Sequence, residues 1–232
     1  MSDGQVIRGV MFTDEKIAEL EKRGLTGKLR DLHLSYRYVF SFYCTARGCY
    51  DAYMVIFKAG IRTEQDISLP VHHFRHFFKI VESSLHNNAI TSIFKLIDPD
   101  PKALSLKSFI VDLRDNQHLF NNIREVSEVV DKCEEDLKIL QSNKDVVELL
   151  KYRHNYVSHQ SNKMTYEKYW LKNNRFLIGT PRKVLNSMYP IFEKLHTIFS
   201  NESVESNLYF KNSGDEALQI LDFLSKHLVR AK

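Results

Sequence analysis

A chain of 232 residues, 43% apolar and 12% aromatic, is too hydrophobic to stay disordered and long enough to bury a core without disulfides or metal. Three cysteines, Cys44, Cys49 and Cys133, lack any paired ligand spacing and suit a reducing compartment, the polar start from Met1 to Gly9 has no secretion-signal core, and no window nears 18 consecutive apolar residues. The expectation is a soluble, cytoplasmic protein with no membrane partner, whose formal charge of +4 is too mild to define a binding partner by itself.

In chain order, Met11 to Arg23 reads as a short leading helix with Thr13 as its N-cap and Gly24 as its stop. Lys28 to Lys58 carries no proline and many aromatic residues, from Tyr36 to Phe57, and reads as one long helix with a weak point at Gly48. Ala59 to Pro70 is a connection, with Pro70 suited to the first turn of the next helix. Val71 to Ile97 places Phe74, Phe77, Phe78, Val81, Leu85, Ile93 and Leu96 at helical spacing, as a packing element, and stops at Asp98-Pro99-Asp100-Pro101.

Ser105 caps a helix running to about Leu113. Val126, Val129, Val130, Cys133, Leu137 and Leu140 form the apolar stripe of another, and Ser142 or Asn143 caps the helix after it, with Val146, Val147, Leu149, Leu150 and Val157. Thr180-Pro181 reads as the start of a helix through Phe199, with Pro190 as a kink point, and Ser213 caps the last helix. No strand alternation or internal repeat is evident, so the fold class is all-α, an antiparallel up-down helical bundle. It reads as a single domain over 1–232: a core at roughly 28–200, a leading segment at 1–27 and a C-terminal helical addition at 201–232.

Charge is unevenly distributed. Lys151 to Lys183 carries 8 Lys or Arg against one acid, Glu167, whereas Arg124 to Glu148 carries 8 acids against 4 basic residues. The basic stretch suits a polyanion such as RNA, or is simply a solvated face. Lys151, Lys163, Lys168, Lys172 and Arg175 are its candidate nucleic-acid contacts. The interleaved Tyr152, Tyr156, Tyr166, Tyr169, Trp170 and Phe176 suit base stacking, and suit helix packing equally well.

Within this stretch, Leu150, Arg153 and Val157 share one helical face, so an arginine lies on an apolar stripe and needs acceptors there. His159 follows six residues later, about 120° around a regular helix. A histidine that moves a proton near neutral pH and an arginine that clamps phosphoryl oxygens suit RNA cleavage at the 2′-hydroxyl. His154 and Asn155 are candidates to orient substrate or histidine, with Tyr156 and Ser158 as weaker supporting residues. The same residues also fit an interhelix hydrogen-bond network with no chemistry.

Arg153-His154, followed by His159, resembles the R-x4-6-H signature of the HEPN superfamily, helical bundles that include many RNases. Ile93-Phe94-Lys95-Leu96-Ile97-Asp98-Pro99, with the helix start at Leu104-Ser105-Leu106, resembles the superfamily's abortive-infection U-type branch. Ser158 stands where that branch often has alanine. The resemblance spans roughly residues 30–200. It implies a HEPN-type bundle and a metal-independent endoribonuclease, with RNA as substrate, no cofactor and a product ending in a 2′,3′-cyclic phosphate. Arg153, His159 and His154 would be its catalytic residues. It also implies a site formed where two subunits pair, and a role in phage defence or beside a cognate antitoxin or other regulatory protein. The alternative is a non-catalytic HEPN-like module that binds a partner protein or nucleic acid.

His72, His73 and His76 offer an i,i+4 pair for a metal, but carboxylates are sparse nearby, with Glu82 the first downstream, so a polar or phosphate-facing surface fits better and no metal site is expected. Arg153 and His159 pointing apart on an ideal helix favour a two-fold homodimer, with the helix ending near His159 at the interface or lining a groove beside it.

Overall fold

The computed structural model describes the backbone of residues 5–7, 10–12, 14–61, 68–152, 166–199 and 213–230, and the side chains of 17–60, 68–150, 179–199 and 213–228. The class is all-α: nine α-helices occur among the described residues. One short hairpin stands outside that description. β1 (Gln5–Ile7) pairs antiparallel with β2 (Val10–Phe12), with Val6 opposite Met11. Met11 and Phe12 thus belong to a strand and not to the expected leading helix, and the local signal is a pair of Val/Ile-bearing runs two residues apart, with Gly9 between them, as tight hairpins favour.

The leading helix is α1 (Asp14–Lys22). It ends in a Schellman motif: Leu25 N–H donates to the Leu20 carbonyl at 3.1 Å and Gly24 N–H to that of Glu21 at 2.9 Å. Gly24 sits at φ +78°, where a side chain would be strained. α1 docks by burying Leu20 and by a two-pronged contact, Arg37 Nη1 and Nη2 to the Glu19 carboxylate at 2.9 and 2.8 Å. Arg37 comes from α2 (Gly27–Ile61), which is continuous through Gly48. Its buried residues Tyr36, Val39, Tyr43, Ala46, Tyr50 and Tyr53 recur every three or four positions, so one stripe stays inward over most of its length.

Val71 to Ile97 is two helices, not one: α3 (Ser68–His73) and α4 (Arg75–Leu96). Phe74 stands as a turn residue between them, yet its N–H still donates to Pro70 O at 2.9 Å, and Phe78 N–H donates to Phe74 O at 3.1 Å. The packing assignment of its phenylalanines also needs correction. Phe78 is buried, but Phe74 and Phe77 are 43% and 61% exposed. Phe77 lies about 100° round the helix from Phe78 and cannot share its inward position.

α5 (Leu106–Asp115) is capped by Ser105, as expected. The Ser108 N–H donates to Ser105 Oγ, and Ser105 N–H donates to Ser108 Oγ at 2.9 Å. A 3-10 turn at Gln117–Leu119 leads to α6 (Ile123–Ser142), which buries Val126, Val130, Cys133, Leu137 and Leu140, with Val129 half-buried. α7 spans Lys144–Tyr152, α8 Tyr166–Phe199 and α9 Ser213–Arg230. α8 therefore begins well before Thr180-Pro181, and both Pro181 and Pro190 lie inside it. Thr180 is buried and is not a helix cap. No helix among the described residues is long and apolar enough to cross a membrane.

The chain forms two compact units, residues 1–43 with 93–204, and residues 44–92 with 205–232. In the first, α2 meets α8 through aromatic rings. Tyr36 stacks on Phe199 with centroids 4.6 Å apart, Tyr43 stacks on Phe192 at 4.5 Å, and the Tyr36 hydroxyl lies 2.5 Å from His196 Nδ1. α6 packs against α8 and α5, and carboxylates secure both neighbours: Arg114 of α5 pairs with Asp131 and Glu134 at 2.8 Å, and Lys194 of α8 pairs with Asp136. In the second unit, Ile56, Ala59, Val71, Phe78 and Leu221 form the core, bringing α2, α3, α4 and α9 together.

Two predictions follow from this packing. Burial, then the nearby Arg23 and Arg37 charges, hold His33 down to about 4 from the ordinary 6.5. Between pH 6.5 and 4 the unfolded chain thus binds the extra proton, and stability falls as pH drops through that window. Denaturant midpoints measured from pH 7 to 4 should decline less steeply in His33→Leu than in the parent. A Cβ on Gly48 would lie 2.8 Å from Ser213 Oγ but 3.6 Å from its Cβ. Gly48→Ala should therefore give little or no stabilisation alone, and about 1 kcal/mol more in a Ser213→Ala background, where the obstructing oxygen is gone.

Candidate functional site

The basic motif lies in the chain between α7 and α8, and these two helices are joined by specific contacts. α7 starts on Asn143, whose Oδ1 accepts the Asp145 N–H at 2.8 Å. Its inward side is Val146 and Leu149, with Leu150 half-buried. Asp145, in its first turn, reaches α8: the buried Thr180 hydroxyl donates to Oδ1 at 3.4 Å, and Lys183 Nζ lies 3.6 Å from Oδ2. An acid at a helix N-terminus is also favoured by the helix dipole. Nothing in the sequence alone sets Asp145 apart from its neighbouring acids. Its only local mark is that first-turn position.

Arg153, His154, Asn155, Tyr156, Ser158, His159 and Lys163 lie outside the described residues. Lys151 is in the last turn of α7. Lys168, Lys172 and Arg175 fall at i, i+4 and i+7 of the α8 backbone, positions on one side of a helix.

The Asp98-Pro99 element, at the end of α4, is a well-bonded turn. Asp98 Oδ1 accepts the Asp100 N–H at 3.1 Å, and Asp100 Oδ1 accepts the Lys102 N–H at 2.9 Å. With Ser105, Lys107 and Val111 it borders a hollow of about 100 Å³. The aspartates thus satisfy backbone donors of their own turn, which accounts for them as a stop between α4 and α5.

The other polar groups of interest have structural surroundings. His33 meets Phe199 edge-on at 4.9 Å, His86 lies against Tyr53 at 5.0 Å, and His196 is held between Tyr36 and Phe40. Burial pushes the Cys44 and Cys133 thiols up to about 12, so both stay protonated and unreactive near neutral pH. His72, His73 and His76 are exposed, and among the described residues no three His, Cys, Asp or Glu side chains are grouped to hold a metal ion.

A family model described as AbiU2, of HEPN type, matches residues 23–220. No curated protein and no solved structure matches the chain.

The Asp145 contact can be tested directly. Asp145→Ala should cost about 1 kcal/mol by stranding the buried Thr180 hydroxyl, and clearly less in a Thr180→Val background. Equal costs in both backgrounds, read by denaturant unfolding, would assign no coupling to the pair.

Proposed function

Because the chain belongs to the AbiU2 family of HEPN domains, an abortive-infection family, we propose that it is a metal-independent endoribonuclease acting through Arg153 and His159. The observation that carries the reading is the Arg-x5-His string placed directly after α7 in a chain of this family. The buried stripe of α7, Val146, Leu149 and the half-buried Leu150, reaches Arg153 by helical spacing if its periodicity is extended.

In the proposed step the 2′-oxygen of the substrate attacks the adjacent phosphorus, and the bond from phosphorus to the 5′-oxygen breaks. One group takes the proton from the 2′-hydroxyl and another gives a proton to the departing 5′-oxygen. Two copies of His159 across a two-fold axis supply both. Arg153 clamps the non-bridging oxygens as negative charge builds on them, and His154 with Asn155 orients the reacting groups. Lys151, Lys163, Lys168, Lys172 and Arg175 hold the RNA backbone. The products are a 2′,3′-cyclic phosphate and a 5′-hydroxyl end. A cognate antitoxin or another regulatory protein would restrain such an activity in the cell.

A second reading has one observation in its favour. His33, His86 and His196 are all buried, so this fold already uses histidine as a packing and hydrogen-bonding residue. A structural Arg153/His159 network in a module that binds protein or nucleic acid would follow the same habit.

Cleavage of a mixed RNA pool in excess chelator separates the two. The expected result is cyclic-phosphate ends from the parent chain, and a loss of about 100-fold or more in both His159→Ala and Arg153→Ala with helicity unchanged. Full activity in His159→Ala would end the catalytic assignment. Unfolding of that variant would favour the structural one.

A further inference from the structure

Three large apolar side chains stand exposed close together in the chain, Phe74, Phe77 and Ile80, at 43%, 61% and 68%. They lie where α3 passes into α4. The bonds across Phe74, from its N–H to Pro70 O and from Phe78 N–H to Phe74 O, keep the chain helical there. With Phe78 turned into the core, His73, His76, Phe77 and Ile80 follow at i, i+3, i+4 and i+7 as the outward row, all exposed. Phe77 is braced from below, since its ring meets the buried Phe78 edge-on at 5.3 Å, and Phe74 meets His73 in the same way at 4.7 Å.

Charge sets this ridge apart. From His72 to Val81 the sequence has Arg75, Lys79 and three histidines, and no acid. Arg75 and Lys79, both exposed, are one turn apart and so run along one flank of the apolar row. In the same unit α9 also exposes Ile220 and Phe223, but beside Asp222 and after Asp215 and Glu216. An apolar ridge bordered by cations, with no carboxylate among them, complements a surface that is apolar within and anionic at its rim. A bilayer with anionic headgroups is such a surface. Unpaired nucleic acid shares the negative charge, but its bases stack on rings, and the most exposed of the three side chains is the aliphatic Ile80.

From this pairing of apolar row and charge we propose that the ridge at the α3–α4 passage is a docking site for an anionic lipid surface. Phe74, Phe77 and Ile80 enter the boundary between headgroups and acyl chains, while Arg75 and Lys79 extend to the lipid phosphates. The expectation of no membrane partner rests on the length needed to cross a bilayer, which no helix among the described residues has. Lying on a bilayer needs only an apolar face. Three apolar side chains and two permanent charges give reversible attachment, not a fixed anchor. The inference is independent of the ribonuclease reading.

Flotation of the full chain with lipid vesicles tests it, comparing equal parts phosphatidylglycerol and phosphatidylcholine with phosphatidylcholine alone. Binding should be about ten-fold tighter, or more, to the anionic vesicles. The basic stretch from Lys151 to Lys183 also attracts anions, so two double variants at exposed positions assign the binding to the ridge. R75Q/K79Q should weaken it about 25-fold, near five-fold per charge, and F77S/I80S about ten-fold or more, with helicity unchanged by circular dichroism. Should F77S/I80S lose helicity, the charge variant, which keeps all three apolar residues, decides. No binding to the anionic vesicles, equal binding to both compositions, or full binding in R75Q/K79Q would each overturn the inference. So would a parent chain that ignores vesicles but binds an oligouridylate through these same residues, which would give the ridge to nucleic acid. Neither variant alters Arg153 or His159, so the cleavage assay and this one fail separately.

Discussion

The larger unit depends on the aromatic face that α2 offers to α8. Tyr36 and Tyr43, two turns apart, each stack on a phenylalanine of α8, Phe199 and Phe192, with centroids about 4.5 Å apart. Rings at this distance bury large areas and set rotation as well as separation, because an offset stack tolerates little sliding. A polar contact within it, Tyr36 to His196, is matched donor to acceptor, which is what burial of both groups requires. α6 then packs on α8, and α5 on α6, each joined by an ion pair at its edge.

This arrangement bears on α7 through α8. The helix whose later half holds the aromatic core also carries Thr180 and Lys183, the partners of Asp145. The start of α7 is therefore referenced to the same rigid element as the core. In sequence, Arg153 and His159 follow a helix that is anchored at its beginning.

The family match ends at residue 220, inside α9. Two demands meet on this helix. Its inward side completes the core of the smaller unit through Leu221, and Gly48 lets α2 approach it closely at Ser213. Its outward side exposes Ile220 and Phe223. A helix that is apolar on both sides has more to bury than its own unit covers.

The sequence by itself determined the class, most helix positions and the family. A proline-free aromatic run located α2, an apolar stripe α6, and serine caps α5 and α9; the Asp-Pro-Asp-Pro run ended α4, and Ser142 or Asn143 marked the start of α7, because these are local signals carried by neighbouring residues. The Arg153/His159 motif was legible for the same reason, as a polar exception in an apolar stripe. Tertiary structure decided what local signals cannot. Thr180-Pro181 reads as a helix start, yet α8 runs through it, since packing and the Asp145 contact supply an alternative use for the threonine. Phe74 and Phe77 read as core, yet only Phe78 turns inward, because which part of a broad apolar helix is buried depends on where its neighbours stand. Gly48 reads as a weak point in a helix, and becomes the place where another helix comes close.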